Sequence, residues 1–533
     1  MGGCGMGHPE DEAIEQYGQR GFPTRIALSL ILTLAFAARL CKIGTLFPIM
    51  VDEAIYLRWA EIIKHQHQWF ISLLDGKQPL CSWLYLPLLT IDGVDPFLAA
   101  RVISLLAGVA ATLFLFLIAE NLAGATAGLI ASALYAVAPY AVFYAHLAYN
   151  ETLLDLLSTA AVFSALLSFR SIEPSAWRAA SAGLWLGAGF LCKTTFLPFF
   201  AFPALICFVF SRSRWHLLIV TYAVAAVVPA VLYLSIPKAP LATSSHFFMH
   251  QLHYFIDRKT LLGAPFEEAR RNLPVALGYL DVYLTPPVVV AAVGTWFYLV
   301  KERLTIPAWM LPFTALILAV EIVVLTYFPS RYQFAYFWPL LVAIACAFGH
   351  AARSRRRLLA GFTAVLLAAT VTRSAAILRN PGRFLHPRDV AHFVTANPYA
   401  GYGVREAARY IENLTRTERP LVVLTDQVWG LPTDALFVYL NERDGIEMHE
   451  AWWLDISPNF PLLPAGRTAL MKSQYERIYA GSIDFRRSGP VLYVTDSLYL
   501  SAAEVRRRHP PARQLASFPK PGGTERIDVY RLK

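Results

Sequence analysis

Along the first 380 residues, apolar side chains run in long blocks separated by short polar connections. A bilayer core needs about 20 apolar residues per helical crossing. Eleven blocks approach that length, at about 26–46, 97–118, 126–144, 151–168, 178–192, 195–211, 215–236, 285–300, 306–327, 333–350 and 357–378. The division around Lys193 is the least sharp of these. Two longer polar connections interrupt the series, at about 47–95 and 237–284. After Asn380-Pro381-Gly382 the periodicity changes. Residues 404–411 have helical spacing, 421–425 read as a buried strand, 431–440 as a helix, and 491–495 and 527–530 as further strands. Strands alternating with helices predict a small α/β domain. The whole pattern predicts an α-helical multi-pass membrane protein, with a tail at 1–25, a membrane domain at 26–378 and a water-soluble α/β domain at 380–533.

Composition sharpens this picture. The chain is 56% hydrophobic and only 16% charged, whereas about a quarter of a soluble domain is charged. A soluble enzyme, a disordered chain and a fibrous repeat are all excluded as descriptions of the whole. Residues 380–533 return to an ordinary balance, with 20 Lys and Arg against 17 Asp and Glu. The net charge of +10 sits largely in the short connections. Alternate block ends carry Arg20 and Arg25, Arg170 and Arg178, Arg212 and Arg214, Lys301 and Arg303, and Arg353 with Arg355-Arg356-Arg357. Cytoplasmic loops are enriched in Lys and Arg, so these ends are expected inside. The two long connections and everything after about 380 then lie outside. Membrane orientation accounts for the charge, and nucleic acid is not an expected partner. The six cysteines are scattered without a CxxC pair, which points away from a disulfide framework or a zinc knuckle. The polar, acidic stretch 1–21 precedes no small-residue cleavage site, and position 6 is Met rather than Ser or Thr. The first block is therefore expected to stay as a signal anchor, without N-myristoylation.

Charged groups at a lipid boundary are costly and mark candidate sites. Three clusters fall on the external side. The first is Val51-Asp52-Glu53-Ala54-Ile55-Tyr56-Leu57-Arg58-Trp59-Ala60; as a helix it puts Asp52, Tyr56 and Trp59 on one face. A carboxylate there can accept a proton from an acceptor hydroxyl or amine. Equally, Asp52 and Glu53 are what a helix N-terminus favours on electrostatic grounds. The second is Asp75-Gly76-Lys77-Gln78-Pro79, a turn that leaves Lys77 at the next helix start, either to meet a phosphate or to snorkel. The third gathers block ends: Asn150-Glu151, Lys193 and Arg331-Tyr332. Two cations and a carboxylate beside Asp52 suit a charged lipid headgroup, and end-capping is the alternative. His246, His250 and His253 share one helical face in the second long connection. Zinc is one reading, but the neighbouring Phe247-Phe248-Met249 favours an interfacial helix. His65 and His67 are weaker candidates. A divalent cation shared by Asp52, Glu53 and a donor phosphate stays open, since two adjacent acids do not by themselves make a metal site.

Taken together, these motifs resemble the bacterial polyprenol-phosphate-sugar-dependent glycosyltransferases of the C superfamily. That group includes protein O-mannosyltransferases and the lipid A aminoarabinose transferase. The residues that carry the likeness are Asp52-Glu53-Ala54-x-Tyr56-x-x-x-Ala60, Asp75-Gly76-Lys77-Gln78-Pro79-Leu80-x-x-Trp83, Pro96-Phe97-Leu98-Ala99-Ala100-Arg101, Phe190-Leu191-Cys192-Lys193 and Arg331-Tyr332. The likeness covers about residues 25–350. It implies an inverting transfer of sugar from an undecaprenyl- or dolichyl-type monophosphate to a lipid, glycan or protein acceptor, at the outer face of a bacterial inner membrane. It implies Asp52 as general base, with Glu53 as its catalytic neighbour. Tyr56, Arg58, Lys77, Glu151, Lys193, Arg331 and Tyr332 become substrate contacts, with Lys77, Lys193 and Arg331 on the lipid phosphate. Lys-Gln-Pro stands where the family has Lys-Pro-Pro. A multi-pass transporter or lipid flippase is the competing class, although no inverted repeat is evident.

Overall fold

The computed structural model describes residues 21–171, 175–236, 255–256, 263–264, 266–425, 430–450 and 489–533. The proposed histidine face of His246, His250 and His253 lies outside them.

Every apolar block is helical, but the eleven are not equivalent crossings. Among the described residues, seven helices are long and apolar enough to cross alone: Phe22–Leu40, Pro96–Ala123, Asn150–Arg170, Arg212–Ser235, Thr305–Val324, Ser330–Ala352 and Ser354–Arg379. An eighth crossing forms if Glu267–Leu284 and Pro286–Lys301 are one span, bent by 98° where Thr285 adopts a φ of +70° before two prolines. Three expected crossings are shorter. Block 126–144 divides into Ala125–Ala136 and Pro139–Tyr144, because a proline is tolerated at a helix start but not in its interior. Block 178–192 is Ala176–Cys192, and block 195–211 is Thr194–Phe210, which opens as a 3-10 turn holding Pro198. The last two blocks run on as Trp338–Arg379, broken only at Arg355 within the basic turn.

Ser330–Ala352 and Asn150–Arg170 form the buried centre, whereas Phe22–Leu40, Arg212–Ser235 and Ser354–Arg379 turn most of their surface outward. Lipid tails are as apolar as leucine, so close packing rather than the hydrophobic effect must join such helices. Glycines provide it. A Cβ on Gly183 would strike the Thr221 carbonyl, and one on Gly187 would come within 3.2 Å of the Ala225 carbonyl.

The Val51–Gln66 helix is buried from Asp52 to Ile63 although it is not a span. The C-terminal domain covers it. Val51 N donates to the Tyr399 carbonyl (3.0 Å), and Gly401 N to the Ile49 carbonyl (2.7 Å). Gly430, at φ +88°, lies against Val51 so closely that a Cβ would collide with it. At the other end, Glu442 receives both Lys64 and His65.

Among its described residues, that domain has five strands: β1 Leu421–Thr425, β2 Ile446–Glu450, β3 Val491–Asp496, β4 Arg513–Pro519 and β5 Arg526–Arg531. Their order is β2-β1-β3-β5-β4. β1 runs parallel to β2 and β3, with Val423 opposite Leu492, while β5 is antiparallel to β3 and β4. A buried ion pair, Lys520–Asp496 at 2.5 Å, is extended by Lys520 donating to the carbonyls of Asn397 and Ala400. The sheet is thus bonded to the same segment that holds the start of the Val51–Gln66 helix.

Candidate active site

The two acids that open this helix point in different directions. Glu53 turns inward, where it caps its own helix by accepting Met50 N (2.8 Å) and also accepts Ala148 N (2.7 Å). It receives Nε and Nη2 of Arg101, both at 2.8 Å, and Arg101 in turn bonds the carbonyls of Ile43, Phe47 and Pro48. Every part of Glu53 is engaged and covered. Its expected catalytic place is therefore corrected to one that locks the start of the Val51–Gln66 helix onto the Pro96–Ala123 helix. Arg58 is corrected likewise. It pairs with Glu61 (2.5 Å) and lies 3.7 Å above the Phe437 ring of the C-terminal domain.

Asp52 faces the other way, into a cluster of cations. One carboxylate oxygen accepts Lys77 Nζ at 2.8 Å, and the other accepts Arg331. Lys77 reaches it because Gly76, at φ +66°, closes the expected turn, and Asp75 stays 3.0 Å away as a second partner. The Lys77 ammonium also stands 5.4 and 5.6 Å from the rings of Tyr56 and Trp59. From Arg331 the cluster continues through Tyr332. Its ring lies 5.6 Å from the Arg331 guanidinium and 4.7 Å from Lys193 Nζ, which pairs with Glu151 at 2.8 Å. Asn150 fixes that register by bonding the Cys192 carbonyl (3.1 Å) and receiving the Cys81 thiol (2.7 Å). Seven of the nine expected residues thus converge: Asp52, Tyr56, Lys77, Glu151, Lys193, Arg331 and Tyr332. The acids Asp52 and Glu151 are 7% and 4% exposed, whereas Lys77, Arg331 and Lys193 are 22%, 19% and 16%. The accessible edge of the cluster is cationic.

Four neighbours escaped the sequence reading. Asp389 accepts Ser330 (2.7 Å) and Tyr283, and so braces the turn that carries Arg331. His392 stacks on Tyr399 at 5.0 Å. Glu321 and Gln333 are buried near Lys193. The only sequence signal among them is Glu321, a lone acid inside an apolar block.

The electrostatics favour an anion. Burial pushes the Asp52 carboxyl up, but Lys77 and Arg331 together hold it well below the usual carboxylate range. Burial opposes the Lys77 charge, but Asp52 and then Asp75 keep it above the ordinary lysine range. His392 is pushed down to about 4, by burial and by the nearby Arg331, so it is neutral at pH 7. Asp52 and Glu53 do not converge on one point, and the described residues hold no group of three His, Cys, Asp or Glu able to bind a metal.

Comparison with known proteins agrees with this geometry. Residues 76–236 match the family described as dolichyl-phosphate-mannose-protein mannosyltransferase. No curated protein matches by sequence. Among solved structures, ArnT from Cupriavidus metallidurans bound to undecaprenyl phosphate aligns over 95% of this chain and 97% of its own, with a TM-score of 0.60 and 13% identity. The oligosaccharyltransferase of Archaeoglobus fulgidus, in complex with zinc and sulfate, aligns over 94% of this chain and 72% of its own, with a TM-score of 0.53 and 14% identity. The chain is a multi-pass membrane protein with the fold of the C superfamily of glycosyltransferases. The sequence match covers less than a third of the chain, and the likeness over its full length is one of fold.

Proposed function

We propose that the protein is an inverting glycosyltransferase that moves a sugar from a polyprenyl monophosphate to a lipid, glycan or protein acceptor. The observation that carries this is the carboxylate of Asp52 set among Lys77, Arg331 and, through Tyr332, Lys193. The acceptor O–H or N–H attacks C1 of the sugar and Asp52 takes its proton. The C1–O bond to phosphate breaks, and the polyprenyl phosphate leaves with the electron pair. A phosphate needs its growing charge neutralised rather than protonated, which Lys77, Lys193 and Arg331 supply. One carboxylate then suffices, whereas glycoside hydrolysis normally uses two. Glu151 aims Lys193, and Tyr56 and Tyr332 form aromatic walls.

The resting ion pairs give this chemistry an order. A base held so low is weak. When the donor phosphate takes Lys77 and Arg331, Asp52 loses the charges that depress it, and its burial then raises its basicity. The base is switched on by its own substrate.

The basic turns support a cytoplasmic N-terminal tail at 1–25, a membrane domain at 26–378 and an external domain at 380–533, in a bacterial inner membrane. The ArnT relative bound to undecaprenyl phosphate supports the donor class. The test uses purified full-length protein in proteoliposomes, undecaprenyl-phosphate-linked pentoses and hexoses, and a membrane-extract acceptor. Sugar should pass to the acceptor with wild-type protein and not with Asp52→Asn. Near-normal transfer by folded Asp52→Asn would remove Asp52 as base. Sugar-linked lipid that crosses the bilayer unmodified would replace transfer with transport.

A further inference from the structure

Beside the cluster lies a pair of buried polar side chains to which the transfer assigns no task. Glu321 stands near the end of the Thr305–Val324 helix, and Gln333 closes the Ser330–Gln333 turn that carries Arg331. Gln333 is 1% exposed and Glu321 9%. The two face each other, and Glu321 is within electrostatic reach of Lys193. Yet the nitrogen and the oxygen of the Gln333 amide, and Oε2 of Glu321, have no well-formed hydrogen bond to the protein. Buried polar groups are almost always paired, because an unmet one forfeits the hydrogen bonds it made in water. Three such atoms at one point, two of them on one amide, form a recognition surface rather than a scaffold.

Their chemistry selects the ligand. A carboxyl and a carboxamide bring no cation to a second phosphate, and the apolar chain of a lipid offers these atoms no partner. A sugar hydroxyl matches both residues, because it donates to the carboxyl and accepts from the amide at once. We propose that Glu321 and Gln333 bind hydroxyl groups of the sugar on the donor lipid, beside the Lys193 that holds its phosphate. The pair is then the specificity determinant for the transferred sugar. This rests on the glycosyltransferase reading above.

The test compares binding of two probes to the full chain in nanodiscs: undecaprenyl phosphate, and undecaprenyl phosphate carrying mannose, glucose, galactose or arabinose. Wild-type protein should bind at least one sugar-bearing lipid about tenfold more tightly than the bare lipid, the scale of one well-made hydrogen bond to a buried group. Gln333→Leu and Glu321→Gln should lose that preference and still bind undecaprenyl phosphate to within about twofold. A preference retained in both variants overturns the proposal. So does wild-type protein that binds bare and sugar-bearing lipid equally, since ordered water would then satisfy the pair. If Gln333→Leu loses both lipids, the isosteric Glu321→Gln decides: a retained preference overturns the proposal, and a lost preference with intact binding of the bare lipid upholds it. Wild-type protein that binds neither lipid refutes the glycosyltransferase reading itself, and the subsite with it.

Discussion

At the scale of single residues, the resting contact of Asp52 with Lys77 and Arg331 makes the carboxylate a competitor of the donor phosphate. Asp52→Asn should therefore do two opposite things. It should abolish transfer, and it should tighten binding of bare undecaprenyl phosphate about tenfold, as expected when one anion no longer screens the cations. Titration with that lipid by intrinsic tryptophan fluorescence checks this, and weaker binding by the mutant would refute the competition. Asp389 gives a pH signature. Burial raises its carboxyl to about 6, only partly offset by the hydroxyls of Tyr283 and Ser330. Between about pH 4 and 6 the folded state then binds more protons than the unfolded one. The stabilisation is complete below about pH 4 and is lost as the pH rises through 6. Thermal melting of purified protein across that window should show this slope in wild type and a flatter one in Asp389→Asn. Parallel slopes would mean that Asp389 is not protonated on folding.

At the scale of elements, Glu53–Arg101 decides where the Val51–Gln66 helix sits. Arg101→Ala leaves a buried carboxylate without its cation, which typically costs about 3–5 kcal/mol. A large fall in folded yield and melting temperature is expected. The double replacement Glu53→Leu/Arg101→Leu should recover much of the melting temperature, and a double variant no better than the single one would refute the pairing. This pair also marks how far the sequence could be read. Every apolar block that the periodicities marked is helical, because a 20-residue apolar block has few other fates in a membrane protein, but Leu80–Thr90 and Glu267–Leu284 lie in stretches expected to be polar connections. The periodicities also located three of the five strands. β2 was missed because Ile446-Glu447-Met448-His449-Glu450 alternates with acids, and β4 because it is an exposed edge strand with a bulge near Ala516. Nothing local reveals that Glu53 faces Arg101 while Asp52 faces Lys77. Adjacent residues of a helix diverge by about 100°, and which of them meets the cations depends on packing against residues 48 and 279 positions away. Asp389 and Gln333 were illegible for the same reason.

At the scale of the whole molecule, the C-terminal domain is part of the site's foundation. Residues 397–401 bond both the Lys520 end of the sheet and the backbone that opens the Asp52 helix. Gly430 lies directly against Val51 at this junction. Gly430→Val meets a φ of +88° and the Val51 side chain at once. Activity should fall at least about tenfold with the spans still inserted, from a displacement of about 1 Å at Asp52. Full activity in that variant would show the contact to be dispensable. The same stitching has a consequence for biogenesis. The start of the Asp52 helix leaves the ribosome early, but the backbone partners of Ile49 and Val51 are made some 350 residues later. A chain still being synthesised has its candidate spans but lacks the contacts that seat Asp52. The seat of Asp52 is therefore complete only once the last domain of the chain has folded onto it, which makes that domain a checkpoint in the protein's own assembly.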